Sequence, residues 1–229
     1  MPRRGPVVGP MSAELTAILH RHAALREHHD PAFAAHVARL RGWQARRLYA
    51  RHADVAERAR ATPLLRYFAE SFFRDLDLGE LTGDPDAAGA RLGRLLPDSR
   101  MLRDALAFAT LTRELDEAVA ERLAPDREIV AAAYVRAYRE VGGLDDRRRQ
   151  CGLAGDLAAD LEGIARRRWA HMGFKLARGP AHAAGMGRLY DRIAAGFDAL
   201  RRLPDAAGAH RAVQRMLADE RECIDRLLG

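Results

Sequence analysis

Three polar side chains with the chemistry of a binding or catalytic site lie on helical stripes whose other members are apolar. Gln44 and His52 interrupt such a stripe in a long predicted helix, and Glu220 interrupts one in the last helix. Burying a polar group without a partner costs roughly 1 to 3 kcal/mol, so each group must find a partner when the helices pack. The sequence therefore predicts a polar site in the interior of the protein.

Other side chains of suitable type complete this predicted site. A histidine beside a carboxylate can act as a general base, and an arginine can hold a carboxylate through its planar fork. The candidate ligand site or buried polar cluster consists of Gln44, Arg47, His52, Asp75, Glu114, Asp116 and Glu220. We expect Glu220 to pair with an arginine and Gln44 to bridge two helices. Arg47 or Asp54 is the expected neighbour of His52.

Metal binding is the sharpest catalytic hypothesis, and Glu70 and His171 would add to the possible ligands. Helical bundles that hold two iron ions carry Glu-x-x-His on two helices, and this spacing occurs nowhere in the chain. We therefore predict no metal and no cofactor. Cys151 and Cys223 are expected to be small core residues, because neither has a catalytic or metal-binding context.

A second possible site lies just before a predicted helix, where Arg178, Gly179 and His182 flank Pro180. Helix N-termini bind anions, so a phosphate or carboxylate is the ligand that this segment would take. The preferred interpretation is an ordinary helix start with proline in its first turn.

The elements that position these residues are predicted to be helices. Alanine and leucine are abundant and β-branched residues are sparse, which favours an all-α fold. Cap and proline signals predict about eight or nine mostly antiparallel helices in one single-domain bundle. Their expected limits include 12–29, a long helix from Pro31, a loop at 77–85, a helix capped by Asp126, a stop at Gly142–Gly143 and a last helix capped by Asp205.

The domain is expected to span residues 12–229, with residues 1–11 as a disordered extension. No stretch of the chain approaches the roughly 20 apolar residues of a membrane span, and the first residues lack the apolar run of a signal peptide. We therefore expect a cytoplasmic protein with no membrane span.

The chain is arginine-rich and basic, with a formal net charge of +6. Two arginine triplets, 147–149 and 166–168, lie on one predicted helix. Because small residues separate them, we interpret the triplets as solvated ends of a helix with a packed centre. Nucleic acid is therefore a disfavoured partner, although Arg148 and Arg166 would be its contacts.

Several stretches together resemble a bacterial family of unknown function that is named for its FFLEELY motif. The matching pieces include Trp43–Gln44, Arg47–Leu48, His52, Phe72–Phe73, Asp75, Glu114–Asp116, Tyr138–Arg139, Arg147, Gln150, Arg178–Ala181 and Arg221–Glu222. The signature lacks its tyrosine here, and Arg74 stands where the family has an apolar residue. The resemblance implies a family but no mechanism.

The residues therefore favour a non-catalytic binding or interaction protein. The first alternative is a metal-dependent or small-ligand-binding enzyme. Its site would lie between the second, third, fifth and last predicted helices, which carry His52, Asp75, Glu114 and Glu220 respectively. The second is a basic protein associated with nucleic acid. The sequence identifies no partner, and it leaves a protein partner and self-association open.

Overall fold

The computed structural model describes residues 10–67, 78–95, 100–165, 176, 178–183 and 185–229. These residues form eleven α-helices and no strand, which confirms the all-α prediction. Eight helices have seven or more residues. In chain order the helices are α1 (Pro10–Ala23), α2 (Pro31–Arg58), α3 (Thr62–Arg66), α4 (Gly79–Thr82), α5 (Pro85–Leu95), α6 (Arg100–Ala120), α7 (Ala131–Val141), α8 (Leu144–Ala165), α9 (Arg178–Ala183), α10 (Gly187–Arg201) and α11 (Ala206–Leu228).

Cap residues set several helix limits as the sequence predicted. The Asp30 carboxylate accepts a hydrogen bond from the backbone N–H of Phe33 at 3.0 Å, and Pro31 opens α2. Asp205 caps α11 in the same way. At the end of α7, Gly142 has a φ of 65°, a conformation that glycine adopts without strain.

The first helix ends earlier than expected, at Ala23, and a short 3₁₀ turn (Arg26–His28) follows it. The Glu117 carboxylate accepts the backbone N–H groups of Arg26 and Glu27, so these groups bind a side chain instead of extending α1. At the other end, α1 begins at Pro10, two residues before the expected start at Ser12. Residues 1–9 lie outside the described residues.

Two further limits were predicted wrongly. Within the expected loop at 77–85, Gly79–Thr82 forms one helical turn, because Leu78 and Leu81 are anchored in the core. Asp126 caps no helix, since α7 begins at Ala131. The chain before α7 stays non-helical while it buries Ile129.

Helix α6 joins the two largest apolar clusters. Its N-terminal half contributes Leu106 and Ala109 to a cluster with α1, α4 and α5. Its C-terminal end contributes Val119 and Ala120 to a cluster with α2, α7 and α11. Because both sides of α6 are covered, its polar residues in this region must be satisfied inside the protein.

Beside the second cluster, α8 and α11 run antiparallel to each other. Ion pairs join Arg148 near the start of α8 to Asp225 near the end of α11, and Glu162 near the end of α8 to His210 near the start of α11.

Among the described residues, no helix combines the length and the apolar character that crossing a membrane requires.

Candidate functional site

A cavity of about 230 Å³ lies between α2, α3, α6, α7, α8 and α11. Most of the residues around it are apolar, and a smaller polar set interrupts them. The polar set is Arg41, Gln44, Arg47, His52, Thr112, Asp116, Tyr134, Tyr138, Arg147, Gln150 and Glu220. Five members of this set belong to the predicted site.

Glu220 on α11 is the centre of one polar group. Arg47 donates a hydrogen bond to it at 2.7 Å, the Nε2 atom of His52 lies 3.0 Å from it, and Arg51 is 3.2 Å away. Burial alone would raise the pKa of Glu220, but the hydrogen bond from His52 and the charge of Arg47 outweigh it and lower the pKa to about 2. The ion pair with Arg47 confirms the prediction that Glu220 pairs with an arginine.

Because Glu220 is ionised at neutral pH, its oxygens can only accept hydrogen bonds. The Nε2 atom of His52 is therefore the donor, and His52 is only 1% exposed. Its Nδ1 atom is also buried and has no hydrogen-bond partner among the described residues. Glu220, not Asp54, is the carboxylate that orients His52.

Asp116 on α6 is the centre of the second polar group. Arg41 donates to it at 3.0 Å and also forms two hydrogen bonds to Glu27, at 2.7 and 3.0 Å. Burial raises the pKa of Asp116, although Arg41 and Gln44 act in the opposite direction. The amide of Gln44 lies 3.5 Å from the Tyr134 hydroxyl, so it spans from α2 to α7 as expected.

Arg147 on α8 forms a third polar element of the wall. Its guanidinium lies 3.5 Å from the centre of the Tyr138 ring, and its Nε donates to the Gly142 carbonyl at 2.9 Å. Only 4% of the side chain surface is exposed. The Nη2 atom is buried and has no hydrogen-bond partner among the described residues.

The cavity has a polar end and an apolar end. Antiparallel packing brings α7 and the start of α8 to the same end as the middle of α2. The polar end carries Gln44, Tyr134, Tyr138, Arg147 and Gln150. The apolar end carries Leu64, Leu65, Leu157, Val213 and Met216. Arg147 and Leu157 are ten residues apart on α8, which corresponds to about 15 Å along the helix axis.

The chain matches a known protein family over most of its length. A model of the family described as Domain of unknown function (DUF8198) matches residues 24–229. The chain belongs to this family. The DUF8198 match begins directly after α1 and includes every residue that lines the cavity. No curated protein and no solved structure matches the chain.

Not every predicted residue of this DUF8198 chain reaches the cavity. Glu114 lies on another side of α6, where it accepts a hydrogen bond from Arg21 on α1 at 3.0 Å. The structure therefore does not bring Glu114 to His52. Asp75, Glu70 and His171 lie outside the described residues.

At the possible anion site around Arg178 and His182, the carboxylate of Asp191 from the same chain takes the place of a bound anion. Asp191 lies 3.2 Å from His182 and 3.6 Å from Arg178, and all three side chains are exposed. Helix α9 has only six residues. These contacts favour the interpretation as an ordinary helix start.

The described residues do not form a metal centre, and the thiol of Cys151 is not activated. Within the described ranges, no three His, Cys, Asp or Glu side chains lie close enough to hold a metal ion. Cys151 and Cys223 line the cavity as free thiols. Burial raises the pKa of Cys151, which keeps its thiol protonated and weakly nucleophilic.

The sequence does not single out Arg147 as a site residue, because the triplet 147–149 is predicted to be solvated. Arg148 and Arg149 are exposed, but Arg147 is buried, so that prediction was wrong for one of the three. The signal was present: Arg147, Cys151, Ala154 and Leu157 follow helical steps of four and three, and all line the cavity. Arg166–Arg168 lie outside the described residues.

Proposed function

We propose that this DUF8198 domain is a non-catalytic binding protein whose central cavity holds a small molecule with a largely apolar body. The cavity of about 230 Å³ is the observation that carries the proposal. Protein interiors are close-packed, and an apolar cavity of roughly 150 Å³ is already enough to bind benzene. A ligand would replace the packing contacts that the lining residues lack.

The polar groups of the wall indicate that the cavity is a binding site and not a defect in helix packing. His52 donates a hydrogen bond to Glu220, and Arg41 donates one to Asp116. A cavity with mostly apolar walls and a few oriented polar groups is the usual form of a small-molecule site. The paired charges hold the wall in one arrangement, so the ligand meets a preformed shape.

A neutral fluorescent probe, N-phenyl-1-naphthylamine, tests this proposal, since its emission rises in apolar surroundings. We expect saturable binding of one probe molecule per chain. Ala154 lines the cavity, so Ala154→Leu should reduce the affinity at least about tenfold by filling space. Ala159 lies on the exposed side of the same helix, and Ala159→Leu is the matched control that should leave binding unchanged.

Cavity filling also makes a prediction about stability. Because Ala154 borders the cavity, the added carbons of Ala154→Leu should enter it and contact the opposite wall. The free energy of unfolding should therefore rise or stay constant. Absence of saturable probe binding to the unchanged chain, or equal binding to both variants, would contradict the proposal.

An enzymatic role is the second candidate, and the pair of His52 and Glu220 favours it. A carboxylate that orients one imidazole nitrogen leaves the other nitrogen to act as a general base, and both residues line the cavity. Hydrolysis of p-nitrophenyl octanoate by the purified chain, lost in His52→Gln, would support this candidate. We favour binding, because Glu220 is also held by Arg47 and Arg51 as in a structural ion-pair network.

The likeness to the FFLEELY-motif family stays part of the proposal. Its signature segment around Phe72–Phe73 lies outside the described residues. Its other pieces include Gln44, Arg47, His52 and Arg147, which line the cavity. If the chain shares these residues with that family, we expect the family to share the ligand site.

A further inference from the structure

Arg147 differs from the other arginines of the cavity wall in its charge balance. Arg41 lies between Glu27 and Asp116, and Arg47 pairs with Glu220. In the part of the chain that the structure describes, Arg147 has no carboxylate at ion-pair distance. Its contacts include the Gly142 carbonyl oxygen and the side chain of Tyr138, both of which are neutral groups.

A buried cation without an anionic partner is costly, because water no longer solvates its charge. The Tyr138 ring and the Gly142 carbonyl provide only partial negative charge. The Nη2 atom still has hydrogen-bonding capacity that no described group uses. Arg147 therefore has both a charge and a donor to offer to a bound molecule.

Resting on the proposed function, we propose that the ligand of the cavity is an amphipathic organic monoanion. Its carboxylate pairs with Arg147 at the polar end, and its apolar body extends past Leu157 towards Leu64 and Met216. The direction follows from α8, whose residues Arg147, Cys151, Ala154 and Leu157 all line the cavity along one side of the helix. The roughly 15 Å between Arg147 and Leu157 along α8 is the length available to such a molecule.

The geometry favours a single negative charge on the ligand. The Nε atom of Arg147 is already bonded to Gly142, so the guanidinium cannot use its full fork. The other nearby polar groups, Tyr138 and Gln150, are neutral, and burial raises the pKa of Tyr138, which keeps its hydroxyl protonated. A dianion would bring one charge that this wall does not neutralise.

Titration calorimetry with octanoate and 1-octanol tests the proposal, because the two probes share an eight-carbon chain and differ in the charge of the head. We expect the unchanged chain to bind octanoate at least about tenfold more tightly than 1-octanol. Arg147→Met should remove this difference and retain 1-octanol binding. Arg149→Met, which removes an exposed arginine of the same triplet, should preserve the difference.

The comparison within the unchanged chain does not depend on how any variant folds. Equal affinity for the two probes, or tighter binding of 1-octanol, would overturn the assignment of an anionic head and leave the proposed cavity function standing. Binding of neither probe would overturn both. Retention of the octanoate preference in Arg147→Met would show that another group recognises the charge.

Discussion

The Nε2 atom of His52 on α2 lies 3.0 Å from the Oε1 atom of Glu220 on α11, although 168 positions separate the two residues in the chain. Both residues interrupt apolar stripes, and each provides the partner that burial of the other requires. Arg47 and Arg51 converge on the same carboxylate. Glu220 is therefore the residue through which α2 and α11 are held in register at the cavity.

Replacing Glu220 with glutamine should lower the free energy of unfolding by about 2 to 3 kcal/mol, because Arg47 then lies part-buried without an opposite charge. Urea denaturation at pH 7 measures this change. Glu222→Gln is the matched control, since Glu222 is exposed and pairs with the exposed Arg226 four residues away. An equal, small effect of both substitutions would contradict a structural role for Glu220.

The stability contributed by Glu220 should depend on acid pH. Its pKa is about 2 in the folded protein and near 4.5 in an unfolded chain, so the folded state favours the ionised form. The contribution is therefore complete above pH 4.5 and is lost as the pH falls towards 2, with an upper limit of about 3 kcal/mol. The difference in unfolding free energy between the unchanged chain and Glu220→Gln, measured from pH 6 to pH 2.5, should decrease towards acid. A constant difference would be inconsistent with the lowered pKa.

Replacing Gly89 and Gly163 with alanine should change the free energy of unfolding in opposite directions. A Cβ atom on Gly89 would overlap the Thr16 Oγ1 atom and lie 2.9 Å from the Thr16 Cα atom, so Gly89→Ala must separate α5 from α1. Gly163 on α8 has open space around the corresponding position. We expect Gly89→Ala to destabilise by about 2 kcal/mol or more through overpacking. Gly163→Ala should stabilise by roughly 0.5 to 1 kcal/mol through helix propensity.

Thermal or urea unfolding of the two variants checks this pair, with the unchanged chain as reference. A stabilising effect at both positions would mean that α1 and α5 are not in close backbone contact.

Much of the fold could be predicted from local signals. Asp30, Pro31 and Asp205 mark helix starts through caps that depend only on neighbouring residues, and Gly142 marks an end. The all-α class could also be predicted, because abundant alanine and leucine with few β-branched residues favour helices over strands. The early end of α1 could not be predicted, because it depends on the distant Glu117 carboxylate.

The site was predicted in part. Gln44, His52 and Glu220 stood out because a polar residue on an apolar stripe needs a partner, but the sequence does not say which helices meet. Glu27 could not be predicted as part of the polar group, because it pairs with Arg41 and Arg113 on two other helices. Arg147 was obscured by its exposed neighbours, since a run of arginines is usually solvated.

The most direct test of the central claim follows the methyl signals of the protein by NMR while octanoate is added. A ligand in the cavity should shift the signals of Leu64, Leu157 and Met216, which line it. Leu15, Leu19 and Leu92 belong to the separate cluster around α1 and α5, and their signals should stay in place. Unchanged signals at the first three residues, or equal shifts at all six, would contradict a ligand site in this cavity.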